Sequence, residues 1–148
     1  VKAFDICKKI GVDIHSHVML GCPGETRQTI EKTIRFVKKL DPTTVSFGIF
    51  TPYPGTKIFE EVSEKYPEIR DGSGADMVKL HTQGFFNEFF TDLKKPELEK
   101  YVKTAYRSFY FRPQYITKRL LSINSADELI RLMIAGSNIF SFGLHGKN

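Results

Sequence analysis

His15-Ser16-His17-Val18-Met19-Leu20-Gly21-Cys22-Pro23-Gly24-Glu25-Thr26 is the stretch that decides the fold. Polar and apolar residues alternate from Val12 to Leu20, with Asp13, His15 and His17 set between Val12, Ile14, Val18 and Leu20. That period predicts a strand whose two faces differ. Pro23-Gly24 then forces a turn, and Thr26 stands where a side-chain oxygen caps the next helix. Ile30, Ile34, Val37 and Leu40, with Phe36 alongside, give a helical stripe ending at Asp41-Pro42. A second strand is expected from Thr44 to Phe50, its nearly continuous apolar character predicting burial on both faces.

The same design recurs at once. Thr51-Pro52-Tyr53-Pro54-Gly55-Thr56 places Pro then Gly in the central positions a type II turn needs, and Thr56 can cap a helix carrying Ile58, Phe59 and Val62. Two strand–turn–helix units at an interval of about thirty residues make a strand–helix–strand repeat, which indicates an α/β sheet or barrel. The working edge of such a sheet is the one where the turns lie.

Around this centre the rest is simpler. Residues 2–10 place Ala3, Cys7 and Ile10 at helical spacing, and Gly11 supplies a left-handed stop; the helix is expected to pack on the sheet with Cys7 in the core. From Tyr66 to about Asp76 the composition shifts to Pro, Glu, Asp, Gly and Ser, as in a surface link. Phe85-Phe86-Asn87-Glu88-Phe89-Phe90 is too apolar to be left in water. Beyond it, Pro96 opens a helix with Leu98, Val102, Ala105 and Phe109 on one stripe until Pro113 interrupts. A short segment around Ile116, Leu120 and Leu121 follows. Ser125 and Glu128 form a capping-box pattern before Leu129, Ile130, Leu132 and Met133, with Gly136 placed to close that last helix.

Composition narrows the classes. A chain of 148 residues, 41% hydrophobic, can bury an ordinary core and is neither fibrous nor disordered. It opens on Val1, directly in a periodic segment, and is therefore expected to be a piece of a longer polypeptide. No run approaches the roughly 18 apolar residues that cross a bilayer, so the expected location is the cytoplasm. Residues 1–92 hold 12 Lys/Arg against 13 Asp/Glu, and residues 93–148 hold 10 against 4. A basic tail can meet phosphates, nucleic acid or an anionic membrane, although a solvated helix face gives the same count.

Two constellations carry chemistry on residue type alone. His15 and His17, two apart on a strand, point to the same side and can share a metal; with Asp13 they resemble the opening of metal-dependent hydrolases of the amidohydrolase type. Those families add ligands at later strand ends, whereas only His81 and His145 remain here. Gly21 to Thr26 resembles an anion cradle at a helix start, but it lacks a Lys and Glu25 would repel phosphate. Cys7 and Cys22, fifteen positions apart, form neither a metal clip nor a disulfide framework.

Taken jointly, Leu20-Gly21-Cys22-Pro23-Gly24-Glu25-Thr26, Thr29-Ile30, Thr33-Ile34, Leu40-Asp41-Pro42 and Thr51-Pro52-Tyr53-Pro54-Gly55-Thr56 resemble the second half of a radical S-adenosylmethionine (SAM) barrel. The likeness covers residues 1–66 with the spacing between both turns intact. The stretch from Phe85-Phe86-Asn87 through Ala105-Tyr106-Arg107-Ser108-Phe109 to Tyr115-Ile116 is more loosely similar to the cobalamin-dependent branch, which holds anaerobic cyclases and methyltransferases. The resemblance implies the C-terminal half of a partial (β/α)6 TIM-like barrel over residues 1–66, a linker and aromatic segment over 67–92, and an α-helical extension over 93–148. It also implies a [4Fe-4S] cluster that reduces SAM to a 5′-deoxyadenosyl radical, with cobalamin in a preceding domain of the parent.

The family's cluster ligands are a Cys-x-x-x-Cys-x-x-Cys set that this chain lacks, so the polypeptide alone is expected to be catalytically inert. By position the resemblance assigns Met19 to packing on adenine, the backbone of Phe50, Thr51 and Pro52 to its edge, Gly21 to close approach of the cofactor, and His17 to a ribose or carboxylate contact. The expected partners are the missing N-terminal half of the barrel and a small-molecule or apolar substrate. No nucleic acid is expected. Peripheral membrane contact and self-association through bare strand edges are the remaining candidates. The alternatives are a hydrolase built on Asp13, His15 and His17, and a non-catalytic module binding RNA or membrane through the basic aromatic tail.

Overall fold

The computed structural model describes residues 1–67 and 91–145. It is mixed α/β, with six helices and one two-stranded parallel sheet among the described residues: α1 (Lys2–Lys9), β1 (His15–Leu20), α2 (Arg27–Leu40), β2 (Thr44–Ile49), α3 (Lys57–Lys65), α4 (Lys95–Tyr110), α5 (Pro113–Leu121) and α6 (Ala126–His145). The chain forms two compact units, Val1–Val102 and Lys103–Asn148, with the boundary inside α4. The expected surface link beyond Pro67 and the Phe85–Phe90 cluster lie outside the described residues.

The first unit is built on β1–α2–β2. A parallel pair needs a crossover, and α2 supplies it. Thr26 accepts from the Thr29 N–H while the Thr29 hydroxyl accepts from the Thr26 N–H, so two free donors at the helix start are satisfied reciprocally. At the other end Asp41 takes a left-handed conformation (φ 47°) and its N–H returns to the Val37 carbonyl, which stops the helix before Pro42. The second turn behaves in the same way. Gly55 has φ 87°, the Thr56 N–H donates to the Tyr53 carbonyl at 3.1 Å, and the Thr56 hydroxyl caps the Phe59 N–H.

The register pairs His15 with Thr44, His17 with Ser46, Met19 with Gly48 and Leu20 with Ile49. One face of the sheet therefore carries Ser16, Val18, Leu20, Val45, Phe47 and Ile49. Leu20, Val45, Phe47 and Ile49 are buried, and with Ile30, Ile34 and Val37 of α2, Phe59 and Val62 of α3, and Leu98 and Val102 of α4 they make the core of this unit. Each such side chain contributes about 1.5–3 kcal/mol through area removed from water.

Three expectations need correction. β2 is not buried on both faces: its burial alternates, because Thr44, Ser46 and Gly48 occupy every second position and leave one face open. α1 buries no residue, with Ile6 and, at its C-cap, Ile10 59% and 68% exposed and Cys7 half-buried; Gly11 (φ 73°) turns the chain toward β1 just after it. Its long-range tie is the Lys8 ammonium on the Leu40 carbonyl at 2.7 Å. Gly136 does not close the last helix, which runs on to His145; no proline follows, and a glycine inside a helix costs only about 1 kcal/mol.

In the second unit the aromatic residues pack on one another. The Phe109 ring, fully buried, lies 5.0 Å from Tyr110 and 5.2 Å from Tyr115, with the Arg112 guanidinium 4.5 Å over its face. Arg112 also donates to the Phe109 carbonyl at 2.9 Å, so stacking and hydrogen bond fix the bend between α4 and α5. Tyr106 stacks on Tyr110 and meets the edge of Phe142, which ties α4 to α6. At the start of α6 the Ser125 hydroxyl caps the Glu128 N–H, while the Glu128 carboxylate reaches the Asn124 N–H instead of Ser125.

Candidate functional site

The open face of the β1–β2 pair carries His15, His17 and Met19 beside Thr44, Ser46 and Gly48. Strand alternation alone places them there, since residues two apart share a side. Met19 is the last of its row. Its neighbour across the register is Gly48, which has no side chain to lean on it, and Met19 is 61% exposed.

His15 is held by β2. Its Nδ1 lies 2.5 Å from the Thr44 hydroxyl and its Nε2 lies 3.1 Å from the Ser46 hydroxyl, so in the neutral ring one nitrogen donates and the other accepts. The His17 ring stands edge-on to His15 with centroids 4.4 Å apart. Both ring nitrogens of His15 are thus engaged by hydroxyls, and the imidazole left facing outward is that of His17. Among the described residues no three His, Cys, Asp or Glu side chains gather in a metal-ligating group, and the hydrolase alternative gains no further ligand.

Where the two strands end, the pairing runs on. The Phe50 N–H donates to the Leu20 carbonyl at 2.7 Å, which sets Phe50 beside Gly21. Thr51, 8% exposed, turns its hydroxyl back to the Ile49 carbonyl, and Pro52 is buried. His17 and Met19 therefore line one face of the sheet, and Gly21, Phe50, Thr51 and Pro52 follow at its carboxyl edge.

The turn after β1 is organised by Glu25. Its carboxylate accepts the N–H of Gly21 at 2.5 Å and that of Cys22 at 3.1 Å, while the Glu25 N–H returns to the Cys22 carbonyl. An acceptor inside the loop occupies the donors an anion would want, which disposes of the phosphate-cradle reading in chemical terms. Burial first, and the Glu25 charge second, push the Cys22 thiol above its ordinary pKa. Cys22 accordingly remains a neutral thiol at physiological pH.

Gly21 itself has φ 82°, and a Cβ there would lie 2.9 Å from Cδ1 of Leu98. The need for glycine thus arises from the backbone conformation and the approach of α4 on the covered side. The start of α4 is fastened to the same turn by two more contacts. Thr91 donates its hydroxyl to the Glu25 carbonyl at 3.3 Å, and Arg27 makes a two-pronged ion pair with Glu97. Sequence reasoning missed Glu25, Leu98, Thr44 and Ser46 as parts of this arrangement. The i, i+2, i+4 series Thr44, Ser46, Gly48 was the available signal for the last two; nothing local marks a partner 77 residues from Gly21.

Comparison with known proteins supplies the lineage. Over 122 residues the chain is 33% identical to an uncharacterized methyltransferase of Pyrococcus horikoshii, a stretch covering 80% of this chain and 25% of that protein. It is 23% identical over 121 residues to the anaerobic magnesium-protoporphyrin IX monomethyl ester cyclase of Rubrivivax gelatinosus, covering 78% of this chain and 20% of the cyclase. Over 63 residues it is 33% identical to the bacteriochlorophyllide d C-8(2)-methyltransferase of Chlorobaculum tepidum, covering 43% of this chain and 14% of that enzyme. The chain thus spans about a quarter or less of the length of these relatives. No family model matches it, and no solved structure matches it. The relatives are radical SAM family members, and the likeness is consistent with a C-terminal fragment of such a protein.

Proposed function

We propose that residues 1–66 form one wall of a SAM site, the wall that meets the adenosine half of the cofactor, in a radical SAM enzyme longer than this chain. The observation that carries the reading is Met19: an apolar side chain 61% exposed near a strand end, opposite a glycine and one residue before Leu20, whose carbonyl takes the Phe50 N–H. An exposed methionine at the end of the strand pair is suited to an adenine ring, with sulfur and methyl on the ring face and the strand-end peptide groups toward the ring's polar edge. His17, the outward imidazole, takes the ribose or carboxylate. β1–α2–β2 then stands as the last strand–helix–strand unit of a partial (β/α)6 TIM-like barrel.

The residues present fit SAM and do not fit the cluster. The chain holds two cysteines, Cys7 and Cys22, both free, and the second is a buried-side neutral thiol. The [4Fe-4S] ligands therefore come from outside this chain, and no step of cluster chemistry is assigned to its residues. Bound SAM supplies the radical or the methyl group; what this chain contributes is orientation of the adenosine and exclusion of water from one side of it. Because the relatives include a cyclase and methyltransferases, the reading extends to methyl transfer or cyclisation on a large apolar substrate, with cobalamin held elsewhere in the parent.

The chain has three methionines, Met19, Met77 and Met133, so labelled methyl groups give a direct test. Titration of the 13C-methyl-Met protein with S-adenosylhomocysteine is expected to move the Met19 resonance and leave that of Met133 in place. Equal movement of both, or none at millimolar ligand, overturns the proposal.

A further inference from the structure

The open face of the sheet repeats one geometry and then breaks it. His15 pairs in register with Thr44, and its Nδ1 lies 2.5 Å from the Thr44 hydroxyl. Its Nε2 reaches the next residue of the same row on β2, the Ser46 hydroxyl at 3.1 Å. His17 stands in the same relation to Ser46, its register partner, and to Gly48 beyond it. Neither serves it: the Ser46 hydroxyl is engaged by His15, and Gly48 has no side chain. Two imidazoles that the strand period makes equivalent thus differ in state. His15 is tied at both nitrogens, whereas His17 makes no hydrogen bond among the described residues and meets the His15 ring with centroids 4.4 Å apart and planes at 68°.

A neutral imidazole has one donor and one acceptor. Were His17 turned back on Ser46, as His15 is on Thr44, one of them would be lost to the sheet. With Ser46 engaged by His15, both His17 nitrogens stay available on the face that also carries Met19.

We propose that His15 is a positioning residue: clamped to Thr44 and Ser46, it withholds the Ser46 hydroxyl from His17 and keeps the His17 ring turned outward to meet the cofactor. The identity of the ligand rests on the SAM reading; the histidine arrangement is a property of the ligand-free sheet. The effect on binding is one of population. A ligand that needs the outward His17 binds with an apparent Kd raised in proportion as that ring is turned away.

S-adenosylhomocysteine is the probe, titrated calorimetrically into the parent, His15→Phe, Ser46→Ala and the double variant. His15→Phe keeps a ring beside His17 but holds neither hydroxyl, so Ser46 is released to His17 and binding should weaken about fivefold, the population cost of one hydrogen bond. Ser46→Ala should bind more tightly than His15→Phe. The double variant should regain most of the affinity that His15→Phe loses, because the hydroxyl that captures His17 is gone. A role in fold stability alone gives the opposite pattern, with the double variant at least as weak as the single one. In the ligand-free proteins, long-range 1H–15N spectra should show the His17 imidazole exchanging between tautomers in the parent and held in one tautomer in His15→Phe. Equal affinity of parent and His15→Phe, no recovery in the double variant, or a His17 spectrum that His15→Phe leaves unchanged would overturn the proposal while leaving the SAM reading in place. A parent that binds no S-adenosylhomocysteine at millimolar concentration overturns both.

Discussion

Gly21 closes the first strand directly over Leu98, at a distance that leaves no room for a side chain: a Cβ at position 21 would come within 2.9 Å of one leucine methyl and 3.3 Å of the other. Two residues 77 positions apart thus define how closely the fourth helix approaches the turn. Gly24, three residues on, has a similar backbone angle (φ 74°) but open space around its absent Cβ.

That contrast gives a paired prediction. Gly24→Ala meets only the left-handed backbone penalty and should cost about 1 kcal/mol. Gly21→Ala meets the same penalty plus the clash with Leu98 and should cost about 3 kcal/mol. Urea unfolding of the two variants checks the difference, and a Gly21→Ala, Leu98→Ala double variant should lose less stability than the sum of the two single losses, because the clash disappears with the leucine.

Glu25 and Cys22 predict behaviour at alkaline pH. The Cys22 thiol titrates above its ordinary range in the folded chain, chiefly through burial and secondarily through the Glu25 carboxylate. Between the unfolded and folded values the unfolded chain has lost the proton that the native chain keeps, so stability falls as pH rises through that window. Cys22→Ser should flatten this alkaline loss. Glu25→Gln should bring the thiol titration down only part of the way, since the larger cause stays; the pH dependence of thiol alkylation reads this directly. The same variant keeps an acceptor for the Gly21 and Cys22 N–H groups, whereas Glu25→Ala removes it and should loosen the turn.

Arg27 and Glu97 tie the second helix to the fourth on the surface of the first unit. The hydrogen bond from Arg27 is the main cause that holds the Glu97 carboxyl below its usual range, and both groups are solvent-accessible. A depressed carboxyl contributes stability above its unfolded pKa and loses it as pH falls through the folded one. Glu97→Gln should therefore flatten the acid side of the melting-temperature profile and lessen its salt dependence, with a small effect at neutral pH.

Much of this fold was legible because its punctuation is local. Pro23-Gly24, Thr26, Asp41-Pro42 and Pro54-Gly55-Thr56 fix turns and caps through the conformations those residues allow, and the structure places each where its chemistry predicts. Alternation from Val12 to Leu20 places His15 and His17 on one side of a strand, as the sheet has them. What escaped was whatever depends on a distant partner or on a missing one. The apolar residues of β2 suggested two covered faces, yet Thr44 and Ser46 line the open one and hold His15. Gly136 reads as a stop, yet the helix runs through it to His145. Leu98 under Gly21 and the carboxylate of Glu25 inside its own loop leave no periodic trace.

Met19 separates binding from stability more cleanly than any other residue of the proposed site. Gly21 is tied to helix packing, and the Phe50–Pro52 segment is largely buried, so substitutions there confound a lost ligand contact with a damaged fold. Met19 is 61% exposed and faces Gly48 across the register, so its removal vacates no packed space. Met19→Ala should change unfolding free energy by less than about 0.5 kcal/mol. If its thioether covers adenine, the same variant should weaken S-adenosylhomocysteine binding about tenfold, the expected result of removing one large apolar contact from a ligand ring. Met19→Leu should restore most of the affinity, because shape and apolar area matter more than sulfur in such a contact. Calorimetric titration of the three proteins at one temperature decides it: equal affinities would move the adenosine away from this strand.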